Sequence, residues 1–141
     1  MYSNQSLRGR FTQEALTTAS GPKIVVMCYD RIDRDLGEAI AALEAGETAR
    51  AHELLCHAQD IVHELLCMLD LEAWEHAPSL SAIYRYTMTL LTRANVTKRS
   101  DDAVTARRLL ADLGDGFRQA AVGLAAPVEF SAASTQFSVR A

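Results

Sequence analysis

The chain has 141 residues, a formal net charge of −4, three prolines, three cysteines and 49% hydrophobic side chains. That size suits one domain with a core of its own, and plentiful Ala and Leu with scarce Pro favour packed helices over sheet. The acidic balance argues against a nucleic-acid surface, no apolar run approaches the roughly 20 residues that cross a bilayer, and the polar N-terminus lacks a signal-peptide core.

Taken in order, residues 1–20 are polar and weakly patterned, with Phe11 and Leu16 among a few isolated apolar anchors. They read as a mobile N-terminal segment or cap. Ser20-Gly21-Pro22 then opens a helix, because Ser caps well and Pro suits a first turn whose N–H groups have no partner. This first helix is predicted over Pro22–Glu44, with Gly46 as its stop. Its start, Ile24-Val25-Val26-Met27-Cys28-Tyr29, is apolar round the whole circumference and must be covered all round. Three packed helices cover most of it, leaving the rest to the N-terminal segment or to a partner.

The second helix, from Thr48 to Asp70, repeats apolar residues at helical spacing through Ala51, Leu54, Leu55, Ala58, Ile61, Val62, Leu65, Leu66 and Leu69. Trp74 sits in the connection that follows and is read as sealing the end of the core. A third helix starts at Pro78 and carries the stripe Leu80, Ile83, Tyr84, Thr87, Leu91 and Ala94, with Asn95 as its expected terminator. Ser100 caps a fourth, and Asp101 and Asp102 oppose the positive end of its dipole. Gly114 and Gly116 weaken that helix by up to about 1 kcal/mol each relative to Ala. The expected architecture is all-α, an antiparallel four-helix bundle over 21–126, with a short N-terminal segment packed on it and a disordered or weakly docked tail at 127–141.

The second helix has another pattern on its outer face. His52-Glu53-Leu54-Leu55-Cys56 recurs as His63-Glu64-Leu65-Leu66-Cys67, and eleven residues are almost three turns, so both copies point the same way. Imidazole and thiolate one turn apart can both bind zinc. Each pair supplies only two donors, however, and two turns separate the pairs, too far for one four-coordinate ion. His57 and His76 add donors only if the fold brings them in. No Gly-rich phosphate loop, Gly-x-Ser-x-Gly elbow or di-iron Glu-x-x-His repeat is present. Cys56 and Cys67 lie about 16 Å apart along the helix and cannot bridge each other, so free thiols in a reducing compartment are expected.

Three stretches together resemble the FliS family, flagellar secretion chaperones for flagellin. They are Leu16-Thr17-Thr18-Ala19-Ser20-Gly21-Pro22 running into Ile24–Asp30, then Ala58-Gln59-Asp60-Ile61-Val62-His63-Glu64-Leu65 with Leu69-Asp70, then Leu80-Ser81-Ala82-Ile83-Tyr84-Arg85-Tyr86 closing with Ala94-Asn95. The family's N-terminal Tyr-x-x-Tyr pair is met only by Phe11, with Arg8 in the first place. The resemblance implies a cytoplasmic, non-enzymatic export chaperone without cofactor. It implies binding of the disordered C-terminal segment of flagellin, which would prevent premature polymerisation and assist delivery to the type III export apparatus. The export gate and other flagellar regulators or co-chaperones are the further partners it suggests; nucleic acid and membrane insertion are not expected. Contact residues expected on this reading are Ile24, Tyr29, Gln59, His63 and Tyr86, with Leu66 at the groove edge and Phe11 and Leu16 as the N-terminal cap. The competing reading is a metal-binding helical-bundle enzyme or sensor that uses the His/Cys stripe.

Overall fold

A computed structural model of the chain describes residues 21–123. The expectations for residues 1–20, with Phe11 and Leu16, and for the tail beyond 123 lie outside the described residues. Four helices follow one another: α1 (Gly21–Glu44), α2 (Thr48–Met68), α3 (Ala77–Thr97) and α4 (Asp101–Gly123). Their punctuation is chemical. After α1, Gly46 adopts φ of 75°, Gly46 N–H donates to Leu43 O at 3.2 Å, and Glu47 N–H reaches back to Ala42 O at 2.8 Å. That pair of bonds is a Schellman end, and it demands the left-handed conformation that glycine adopts without penalty.

Between α2 and α3 the chain turns on Asp70, whose side chain accepts from Glu72 N–H at 3.0 Å, and Trp74 packs partly buried against the core. Pro78 falls in the first turn of α3 as expected. Asn95 does not end that helix: α3 continues to Thr97 and is closed by Lys98 at φ 56°, with Lys98 N–H on Ala94 O at 2.8 Å. The reason is that the Asn95 amide is engaged elsewhere, with α2. In α4, Asp101 and Asp102 occupy the first turn, and Asp102 also accepts two bonds from Arg93 of α3, at 2.6 and 3.0 Å.

Each helix packs on its neighbour in the chain, and α4 closes back on α1, giving a square up-down-up-down bundle. Ile32, Leu36, Ala39, Leu55, Ala58, Val62, Leu90, Leu91, Ala94, Ala103 and Ala106 fill its centre. α1 packs extensively on both α2 and α4, whereas α3 is held more lightly on either side. The α1–α4 seam carries Arg107–Asp33 at 3.0 Å and the Arg118–Asp30 pair. Asp30 thus reaches across to another helix and not, as i,i+4 spacing suggests, to Arg34. These pairs are half-exposed and individually worth little. Between α1 and α2, Asp35 is buried and is met by His57 and, at 3.3 Å, by Arg31.

Candidate functional site

The apolar run that opens α1 is only partly enclosed. Ile24, Cys28 and Tyr29 are buried, Val25 and Val26 are half-buried, and Met27 points outward at 59% exposure. Tyr29 crosses the bundle diagonally: its hydroxyl lies 2.6 Å from that of Tyr84 on α3. Its ring stacks on Phe117 of α4 at 5.4 Å between centroids, over Gly114, where an added Cβ would come within 3.2 Å of Tyr29 Cβ. Gly114 is therefore the close-approach point of α1 and α4, a packing role that helix propensity alone does not reveal. Burial pushes both phenols upward in pKa. Burial, with the nearby Glu64 carboxylate adding to it, also pushes the Cys28 thiol up to about 12.

The α2–α3 seam is different in kind. Gln59 donates from Nε2 to Thr92 Oγ1 at 2.6 Å and, more weakly, to Met88 O at 3.4 Å. One turn further along, the Asn95 amide nitrogen lies 2.9 Å from His52 Nδ1 and 3.8 Å from Cys56 Sγ. Polar side chains thus tie α2 to α3, as the Asp35–His57 pair ties α1 to α2. Hydrogen-bonded amides at a half-exposed seam bury little apolar area, in keeping with the lighter packing of α3 on its α2 side.

The sequence-predicted contact residues fall into three places. Gln59, His63 and Leu66 share the α2 side that borders α3, with His63 exposed and Leu66 half-buried. Tyr86, 53% exposed, stands one helical repeat from Arg93, whose partner Asp102 lies on α4, so it belongs to the α3–α4 side. Ile24 and Tyr29 are core residues, at 5% and 3% exposure. Met27, Thr92 and Asn95 are not among the contact residues expected from sequence. Met88, Thr92 and Asn95 recur at i, i+4 and i+7, and that spacing is the signal that places them on one face.

The His/Cys stripe faces outward as its spacing predicts: His52, His63 and Cys67 are exposed and Cys56 half-buried. Cys56 Sγ lies 3.7 Å from His52 Nε2, and Cys67 Sγ lies 3.5 Å from His63 Nε2. Among the described residues no three His, Cys, Asp or Glu side chains converge on one point within the chain. No described helix is long and apolar enough to cross a membrane. This surface presents amide, hydroxyl and imidazole groups along a seam with apolar side chains at its edges.

A family model described as "Flagellar protein FliS" matches residues 3–123, nearly the whole chain. The chain is also similar to the flagellar secretion chaperone FliS of Bacillus subtilis (strain 168), at 26% identity over 110 residues, covering 78% of this chain and 82% of the relative.

Proposed function

Because the chain belongs to the FliS family, we propose that it is a cytoplasmic flagellar export chaperone, without catalytic activity, whose client is the disordered C-terminal region of flagellin. By holding that region it keeps flagellin from polymerising prematurely and assists its delivery to the flagellar type III export apparatus. The family match over the whole bundle carries this reading. The physical properties of the surface support it. A client that folds on binding loses about 2–5 kcal/mol in ordering, which requires apolar contact and backbone hydrogen bonds in return. Met27, Val25 and Val26 at the start of α1 supply apolar area, and Leu66, Gln59 and His63 supply an apolar edge with polar anchors. Tyr86 adds an exposed aromatic on the neighbouring side. Ile24 and Tyr29, buried in the free bundle, would contribute by supporting this surface from within.

The test is a calorimetric titration of the full chain with a peptide of the last ~40 residues of the cognate flagellin, a length that permits two or three helical turns in each of several docked segments. A one-to-one complex with a gain in helicity by circular dichroism is expected, and Tyr86→Ala weakens it without lowering the melting temperature. Absent heat and strictly additive spectra would refute the assignment.

A further inference from the structure

The His/Cys stripe of α2 lies outside the apolar core, and its first pair meets another helix through Asn95. A tetrahedral zinc ion with its usual Zn–S and Zn–N bond lengths sets a thiolate sulfur and an imidazole nitrogen about 3.6 Å apart. Cys56 Sγ lies 3.7 Å from His52 Nε2 and 3.8 Å from its Nδ1, and Cys67 Sγ lies 3.5 Å from His63 Nε2. Both separations suit two donors on one ion, and both pairs lie outside the apolar core. Asn95 meets the first pair from the α3 side, its amide nitrogen donating to His52 Nδ1, so a metal on His52 Nε2 requires the ring proton to shift to Nδ1 and the Asn95 amide to turn its oxygen towards it.

The spacing says what completes them. The positions of His52, Cys56, His63 and Cys67 are symmetric about a point between Gln59 and Asp60, with each His mirrored by a Cys. A second α2 laid antiparallel across a two-fold axis at that point brings the partner's Cys67 opposite His52 and the partner's His63 opposite Cys56. Two Cys2His2 sites then form at once, about 16 Å apart, each with one pair from either chain. We propose that α2 carries two half-sites for a thiophilic divalent ion of the zinc class, completed by a second copy of this chain in an antiparallel α2–α2 pair.

The charges argue that the ion is required for the pairing. Two chains of net charge −4 repel at long range, and nothing in the stripe itself offsets that. A divalent ion bound by two thiolates is locally neutral, and each thiol releases its proton on binding. Donor identity favours zinc-class ions over calcium or magnesium, which take oxygen ligands.

The experiment uses the full reduced chain, metal-free, titrated with cobalt(II) and then zinc(II), with visible absorption and sedimentation recorded together. Expected are the strong visible bands of tetrahedral thiolate-bound cobalt, one ion per chain, and conversion of monomer to dimer only when metal is present. Cys56→Ser and Cys67→Ser each remove one thiolate from both sites of their own dimer. The loss of affinity should exceed the roughly 10–100-fold that loss of an outer-shell partner costs. Mixing the two variants in equal amounts restores one complete Cys2His2 site per mixed dimer, and with it tight binding. No binding, two ions on a monomer, a dimer that forms without metal, or a mixture no better than its separate components would each overturn the proposal. None of these results depends on flagellin binding.

Discussion

The Tyr29–Tyr84 bond allows the bundle's internal polar chemistry to be tested by a double-mutant cycle. Both hydroxyls are buried, at 3% and 2% residue exposure, and they lie 2.6 Å apart across the diagonal between α1 and α3. Tyr84→Phe leaves the Tyr29 hydroxyl in an apolar interior with its partner gone, and Tyr29→Phe does the same to Tyr84. An orphaned buried hydroxyl costs about 1–3 kcal/mol, well above the net worth of the bond itself. Each single variant should therefore lose about 2 kcal/mol, a fall in Tm of about 8 °C for a domain of this size. The double variant removes both polar groups and leaves two packed rings, so it should stand within about 1 kcal/mol of the parent. Thermal and urea unfolding of the four proteins measure the cycle, and a coupling of about 3 kcal/mol is expected. Because both phenols are held in their neutral form by burial, the coupling should be the same at pH 6 and pH 8. Additive single losses would show that the two hydroxyls do not depend on each other and would refute the reasoning.

Gly114→Ala places a methyl 3.2 Å from Tyr29 Cβ, an atom fixed close to its backbone, so the strain outweighs the helix propensity gained and the protein melts lower by about 1 kcal/mol. Gly37→Ala instead meets the flexible Arg107 guanidinium at 2.9 Å, which swings away at the cost of a half-exposed ion pair, so the same measurement should show stability unchanged or raised by up to about 1 kcal/mol. The Cys28 thiol, pushed from 9.0 to about 12, stays protonated in the folded chain while the unfolded chain ionises, so stability falls as pH rises from 9 towards 12; Cys28→Ala should flatten that slope in urea titrations. At neutral pH a thiol reagent should label Cys56 and Cys67 and spare Cys28 in the native protein. His63 belongs both to the proposed flagellin seam and to the proposed metal face, so zinc should weaken flagellin-peptide binding to the parent, and calorimetry should show much less weakening with Cys56→Ser.

The four helices were legible because the chain marks their ends chemically. Gly46, Pro78 and the Asp101-Asp102 pair each occupy the position that their backbone or charge suits, and the apolar periodicity between them assigns one face to the core. Periodicity names a face but not the neighbour that meets it. Gly114 reads as a weak point in a helix until Tyr29 is found packed against it, and Asp30 reads as a partner of Arg34 until α4 brings Arg118 closer. The same limit separates the predicted contact residues. Ile24 and Tyr29 are apolar at the start of α1, as Met27 is, and only the three-dimensional packing decides that the first two turn inward. On α2 the reverse holds, since Gln59, His63 and Leu66 share a side by spacing alone. What the spacing could not give is that the opposing side of α3 is also polar, through Thr92 and Asn95, so that the outer edge of the seam is fastened by hydrogen bonds. Such fastenings exchange readily for bonds to another backbone, whereas a leucine-filled seam would have to be emptied first. For the proposed flagellin client, the α2–α3 edge would therefore be the place where a docked segment gains contacts at the least loss to the bundle.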